Sequence, residues 1–196
     1  MNIRVHTPPA AEPLSLEEVK LHCRLDETDV TEDTLLNDLI IAAREHVEAL
    51  TNRALLTQTV QLVLDGWPAV IELPRPPIQS LASVTYTDYL GAAALVPATD
   101  YYLDDDNEPA RVVLEYGKSW PTATLRPSGA IVAEYVAGYG DEPTDVPQGI
   151  LQAMLLLIGH WYENREAVGD SKFVAGQQEI PFAVTALLAP YRVWTF

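Results

Sequence analysis

Residues 31–65, TEDTLLNDLIIAAREHVEALTNRALLTQTVQLVLD, change their hydrophobic period partway along, and this change decides the fold class. Up to Leu50 the apolar residues recur every three or four positions, which is typical of one face of an amphipathic helix. This pattern predicts a helix over 31–52 and puts Arg44 and Glu48 on its solvent side. From residue 56 the period changes to two, which predicts a strand.

Similar alternating runs follow this strand, with Gly, Pro and Asp between them. Together they predict about six short strands up to residue 140. Because the runs do not alternate with helical segments, we expect an antiparallel sheet rather than a parallel one.

Helical patterns return on both sides of this β-rich region. Upstream, Ser15 and Glu18 have the spacing of a capping box and predict a short helix. Downstream, residues 147–165 are apolar on more than one face, which is typical of a helix buried in a core or between subunits. The residues expected to form this core or subunit interface are Met154, Ile158, Trp161 and Tyr162.

These elements predict an α+β fold, a helical bundle with an inserted antiparallel β-rich subdomain. The expected divisions are a flexible N-terminal arm (1–13), N-terminal bundle helices (14–55), the β-rich insertion (56–140), the long C-terminal helix (141–168) and a C-terminal docking segment (169–196).

The C-terminal segment is rich in large apolar residues. A chain end of this kind either folds back on its own core or docks on a partner, and aromatic anchors favour the partner. The residues expected to bind it are Phe182, Leu187, Leu188, Tyr191, Trp194 and Phe196.

The net charge of −16, from 28 acidic and 12 basic residues, excludes several classes of function. A strongly acidic protein repels nucleic acid and anionic membranes, and no basic run offsets the charge. No apolar run approaches the length of about 20 residues that a membrane span needs. The single cysteine, Cys23, excludes an internal disulfide. We therefore expect a soluble cytoplasmic protein without sequence-specific DNA binding.

Candidate catalytic and metal motifs are weak. His160 and Glu163 have a helical i, i+3 spacing, but a carboxylate-bridged metal site needs this motif twice. Residues 103–108, LDDDNE, lack the central glycine of a calcium loop. We expect no metal and no cofactor. A small-ligand or metal-dependent enzyme would need His22, His46 and His160 to converge with acids of the sheet, and this alternative stays open.

Four stretches resemble one known family: LSLEEVKLHCRLD, LLNDLIIAAREHVEALTNRALLTQT, IELPRPPIQSLASVTYTD and VAGYGDEPTDVPQGILQAMLLLIGHWYENREA. Over about residues 14–168 the chain resembles the head–tail connector, or adaptor, proteins of long-tailed bacteriophages and gene transfer agents.

The resemblance implies a structural protein without catalytic residues. Such proteins form a ring, usually twelvefold, below the portal protein, extend the DNA channel and carry the downstream stopper or tail protein. The chain would then assemble in the bacterial cytoplasm and end in the neck of the particle. A stopper or tail-terminator protein of the same particle is a further alternative, although the long flanking helices disfavour it.

Overall fold

The computed structural model describes residues 2–164 and 182–193 of the 196-residue chain. Contacts divide the chain into two compact units. The β unit contains residues 1–10 and 52–141, and the helical unit contains residues 11–51 and 142–196. Most of the β unit is therefore inserted between the two parts of the helical unit, and the α+β class predicted from the sequence is confirmed.

The described part of the helical unit contains four α-helices. Ser15 begins the first as predicted, because its hydroxyl accepts the Glu18 N–H at 3.2 Å while its own N–H donates to the Glu18 carboxylate at 2.8 Å. The helices are α1 (Leu16–His22), α2 (Asp33–Thr51), α3 (Gln148–Glu163) and α4 (Phe182–Leu188). Short 3₁₀ turns cover Pro143–Asp145 and Ala189–Tyr191.

The core of the helical unit lies where α2, α3 and α4 pack together. The buried apolar residues of α2 recur at three and four positions, as the sequence pattern predicts. Those of α3 cover a wider arc, which suits a helix that packs against three others. The buried apolar side chains of α2 and α3 are Leu36, Ile40, Ala43, Val47, Ile150, Leu151, Ala153, Met154, Leu157 and Ile158.

Two charged residues of α2 lie inside this unit, so their expected place on its solvent side is wrong. Arg44 and Glu48 are both buried. The Arg44 guanidinium donates to Glu12 at 2.8 Å and lies 3.4 Å from Glu48. Since Glu12 precedes α1, this ion pair ties the start of the helical unit to the middle of α2.

The β unit contains two antiparallel sheets. Its strands are β1 (Asn2–Thr7), β2 (Gln58–Leu64), β3 (Ile71–Glu72), β4 (Ile78–Thr87), β5 (Ala93–Leu95), β6 (Tyr101–Asp104), β7 (Arg111–Leu114) and β8 (Ile131–Ala137). The larger sheet has the order β1-β2-β8-β4-β5 and the smaller one the order β3-β7-β6. Every second residue of the central strand β8 is buried, so its alternation from the sequence places one face in the core.

The N-terminal residues differ from the expected flexible arm. Asn2–Thr7 form strand β1, which pairs with β2 from Asn2↔Val63 to Thr7↔Thr59. The half-buried Ile3 packs against the sheet core. The prediction was wrong because a short edge strand is held by hydrogen bonds to a neighbour far along the chain, which local sequence does not reveal.

Gly138 marks the end of β8, where the backbone comes unusually close to another segment. Its φ is +134°, a region that other residues rarely adopt. A Cβ atom there would lie 2.4 Å from the backbone carbon of Leu56. Only glycine therefore fits at the first position of the GYG turn.

Within the described ranges, none of the helices combines the length and the hydrophobicity that a membrane span requires.

Candidate functional site

The C-terminal segment, residues 182–193 in its described part, folds back on the helical unit. Helix α4 packs against α3 and α2, and Val184 and Leu188 are buried. Leu188 is only 4% exposed. The prediction that Leu188 binds a partner is therefore wrong, because its own chain already covers the side chain.

The segment is held at its end as well. The N–H of Val193 donates to the carbonyl of Thr51 at 2.9 Å. A Cβ atom on Gly149 would meet the Tyr191 hydroxyl at 3.0 Å, so the ring of Tyr191 lies directly over α3. Leu187 is half-buried. These contacts hold the described part of the segment against the helical unit.

Phe182 differs from the rest of the segment because it is 87% exposed. An exposed phenylalanine at the start of a well-packed helix is a candidate for contact with another protein. Trp194 and Phe196 lie outside the described residues.

The four residues predicted on α3 have different surroundings. Met154 and Ile158 are fully buried in the core. Trp161 is half-buried and meets the ring of His46 edge-on, at 5.7 Å between centroids. The Tyr162 hydroxyl donates to Glu32, just before α2. All four residues contribute to packing within the unit, and the last two do so with part of their surface still exposed.

His160 and Glu163 lie in the last turn of α3. Asn164 donates from its side chain to the His160 carbonyl at 2.8 Å and so ends the helix, while Glu163 is exposed. Across residues 2–164 and 182–193, no three His, Cys, Asp or Glu side chains are arranged to hold a metal ion. The histidines and acids that the enzyme alternative needs are therefore not assembled into a metal centre there.

A shallow groove of about 360 Å³ lies between the ends of α1 and α3. Its lining residues are His22, Cys23, Arg24, Gly159, Tyr162 and Glu163. Burial, and then the negative charge of Glu163, raises the pKa of the Cys23 thiol above its usual value. The raised pKa keeps the thiol protonated, and a protonated thiol is a poor nucleophile.

Basic side chains of the described residues are largely engaged within the chain. Five of them form ion pairs with carboxylates: Lys20–Asp33, Arg44–Glu12, Arg53–Glu108, Arg111–Asp104 and Lys118–Asp100. The hydrogen bond from Arg111 lowers the pKa of Asp104, and that from Arg53 lowers the pKa of Glu108. These pairs leave few cations to balance the other acids.

The acidic excess is concentrated in the helical unit, which contains 17 acidic and six basic residues, against 11 and six in the β unit. This excess remains when the ion pairs of the buried Lys20 and Arg44 are set aside, so the described surface of the helical unit is anionic. This surface is suited to repel phosphate groups.

The β unit presents apolar side chains that the sequence reasoning missed. Tyr89, Leu90 and Leu95, at the hairpin between β4 and β5, are 66%, 75% and 62% exposed. The hairpin turn is ordered by Asp88, whose carboxylate accepts the N–H groups of Leu90 and Ala92 at 2.9 and 2.8 Å. The signal in the sequence is a turn that begins at Asp88 and ends at Gly91, with apolar rather than polar residues between them.

A family model described as phage gp6-like head-tail connector protein matches residues 13–96 and 122–192. No curated protein matches the chain. Three solved structures with the same fold cover 100% of this chain and 97% of their own, each at 23% identity. The matching chains come from three structures. These are the neck of an empty gene transfer agent particle computed with C6 symmetry (TM-score 0.80), the virion of a native gene transfer agent particle (0.79) and the neck of a native gene transfer agent particle computed with C12 symmetry (0.74).

Proposed function

The chain belongs to the family of phage gp6-like head–tail connector proteins, and we propose that copies of it form the adaptor ring in the neck of a phage-like particle. The observation that carries this proposal is the extent of the family match. It includes parts of both units and leaves out residues 97–121, where strands β6 and β7 lie.

We propose a ring of twelve copies below the portal protein. Identical copies can close into a ring through heterologous contacts, because each copy then makes the same two contacts with its neighbours. The similar structures support this number, since they come from necks computed with sixfold and twelvefold symmetry, and a twelvefold ring contains both.

The acidic surface suits a channel for DNA. Exposed carboxylates repel the phosphate backbone, so DNA can pass without the counterion release that drives nonspecific binding. The ion pairs of Lys20 and Arg44 support this role because they keep these two basic side chains buried and away from the DNA. Assembly would take place in the bacterial cytoplasm, before the particle receives its tail.

The exposed Phe182 is the residue we propose for docking on the portal, together with the half-buried Leu187 and Tyr191. We include Trp194 and Phe196 in the proposed docking surface because they follow Tyr191 closely in the chain. The opposite side of the ring would carry the downstream stopper or tail protein.

A structural role requires no catalytic residue, and the absence of catalysis is part of the proposal. The enzyme alternative would require turnover or stoichiometric metal in the purified protein. The stopper alternative would require the chain to join the particle only after another ring of the neck is present.

Deleting the gene tests the proposal. We expect cells to accumulate DNA-filled heads and free tails that do not join, as seen by negative-stain microscopy, and expression from a plasmid should restore joined particles. Normal tailed particles from the deletion strain would contradict the proposal.

Portal docking is tested separately with Phe182→Ser, since this exposed side chain adds little to folding. Purified portal should retain at least about tenfold less of this variant than of the natural chain, equivalent to about 1.4 kcal/mol. The matched control is Tyr116→Ser, which removes a fully exposed aromatic residue from the β unit. Equal retention of both variants would exclude Phe182 from the contact.

A further inference from the structure

The larger sheet of the β unit has two open edges, β1 on one side and β5 on the other. An open edge carries backbone N–H and C=O groups that can pair with a strand of another molecule. Both edges belong to one sheet, so each copy of the chain offers two different strand-pairing surfaces.

The hydrogen-bond pattern shows which groups of β5 point outward. Val96 N–H donates to the Val84 carbonyl and Asp88 N–H to the Ala92 carbonyl, so the alternation of an antiparallel pair directs Ala94 toward β4. It follows that the N–H and C=O groups of Ala93 and Leu95 face away from β4. The N–H of Thr87 agrees, because it donates to Ala130 on the opposite side of β4.

Native sheet edges are commonly protected by charged side chains, by proline or by bulges. Residues 93–95 contain no charge and no proline, and all three are exposed. The exposed Leu95, Tyr89 and Leu90 add apolar surface beside this edge. An uncharged, ordered and apolar edge of this kind is suited to be covered by another strand.

Edge β1 is regular from Asn2 to Val5 and is irregular between Val5 and Thr7, so the part of β1 that can pair with another strand is Asn2–Val5. Asn2–Thr7 include Arg4 and no acidic residue. Copies of a chain with a net charge of −16 repel one another over most of their surface, but an approach of β5 to β1 brings no carboxylates of these strands together.

The topology also fixes the direction of such a pair. All four steps across the sheet from β1 to β5 are antiparallel, so β1 and β5 run in the same direction. Neighbouring copies in a twelvefold ring differ by a rotation of about 30°. A rotation of this size cannot reverse a strand. A contact between these edges around the ring is therefore parallel.

We propose that β5 of one copy pairs in parallel with β1 of the next, so that the sheets of neighbouring copies join around the ring. This inference rests on the proposed ring, and its partner is a second copy of this chain. The contact is heterologous, as ring closure requires, because each copy supplies β5 to one neighbour and β1 to the other.

Cysteine cross-linking in assembled particles tests the pairing. The chain would carry Cys23→Ser and Ala94→Cys, combined in turn with Arg4→Cys, Val5→Cys or His6→Cys. Oxidation of particles with at least one of these pairs should give a ladder of covalent oligomers beyond the dimer on a denaturing gel. Each single-cysteine variant should stay monomeric.

The outcomes separate this inference from the proposed function. If the chain is present in the particle necks but none of the pairs cross-links, the edge pairing is wrong and the ring stands. If Ala94→Cys alone gives dimers, β5 meets β5 and the head-to-tail pairing is wrong. If the chain is absent from the necks, the proposed function itself fails.

A charge placed on the edge gives an independent readout. Leu95→Lys should lower the yield of tailed particles at least about tenfold, because a charge on the edge opposes strand pairing. The matched control Tyr116→Lys makes the same change of charge at an exposed position of the β unit away from strand β5 and should assemble normally. Normal assembly of Leu95→Lys would overturn the pairing.

Discussion

Replacing Lys20 by methionine should destabilise the helical unit strongly, although the replacement keeps a long unbranched side chain. The Lys20 ammonium lies 2.6 Å from Asp33, 2.7 Å from the carbonyl oxygen of Asp29 and 3.3 Å from that of Glu27. It therefore connects α1 to the loop before α2 and to the first residue of α2. Its side chain is only 5% exposed.

The magnitude follows from burial. Removing one partner of a buried ion pair costs about 3–5 kcal/mol. The Asp33 side chain is 27% exposed and can recover part of its hydration, so the lower end of this range applies. We expect a loss of about 3 kcal/mol, or about 6–12 °C in melting temperature for a chain of this size.

The chain supplies a matched control. Lys118 pairs with Asp100 at the same distance of 2.6 Å, but its side chain is 46% exposed. Lys118→Met should cost less than about 1 kcal/mol, because water replaces an exposed partner. Both variants are compared with the natural chain by urea unfolding. The helical circular dichroism signal follows the helical unit, which contains Lys20, and tryptophan fluorescence follows the β unit, which contains Lys118. Equal losses at the two sites would refute the argument that burial sets the strength of these pairs.

Further substitutions test which side chains pack inside the chain, which are exposed, and how the stability of the fold depends on pH. Leu188→Ala should lower the free energy of unfolding by about 2–5 kcal/mol in a thermal melt, because the side chain is buried. Phe182→Ser should change it by less than about 0.5 kcal/mol, because that side chain is exposed. A larger loss for Phe182→Ser than for Leu188→Ala would contradict the described position of α4. Gly138→Ala should cost about 3 kcal/mol or more, measured by urea unfolding, because its φ is positive and a Cβ would overlap Leu56; a neutral effect would show that the turn is built differently. Burial raises the pKa of Tyr135 above its usual value of 10.0, so the stability it contributes is complete below pH 10 and is lost as the pH rises beyond it. Tyr135→Phe should remove this alkaline loss in a series of melts and cost about 1–3 kcal/mol at neutral pH, since the Pro74 carbonyl loses its donor; an unchanged alkaline profile would exclude Tyr135 as its source.

The sequence predicted the order of helices and strands because hydrophobic periodicity is a local signal. The capping box at Ser15 and the apolar face of α2 are contained in a few consecutive residues, and both are present in the structure. The burial of Arg44 could not be predicted in this way, because its partner Glu12 is 32 residues away. Strand β1 was missed for the same reason, since β2 lies about 55 residues further along the chain.

The candidate interface was predictable only in part. The many large apolar residues of the C-terminal segment predicted an interface there. Their number does not show which side chains are buried in the chain itself, such as Leu188, and which are exposed, such as Phe182. The open edge at β5 depends on the order of strands in the sheet, which follows from pairings distant in the chain. Topology therefore had to be known before this surface could be found.

A reconstruction of the particle neck by electron cryomicroscopy shows whether this chain forms the adaptor ring. We expect a closed ring of twelve copies of this chain between the portal and the tail, with the exposed acids toward the DNA channel. A complete neck that contains no copy of the chain would contradict it.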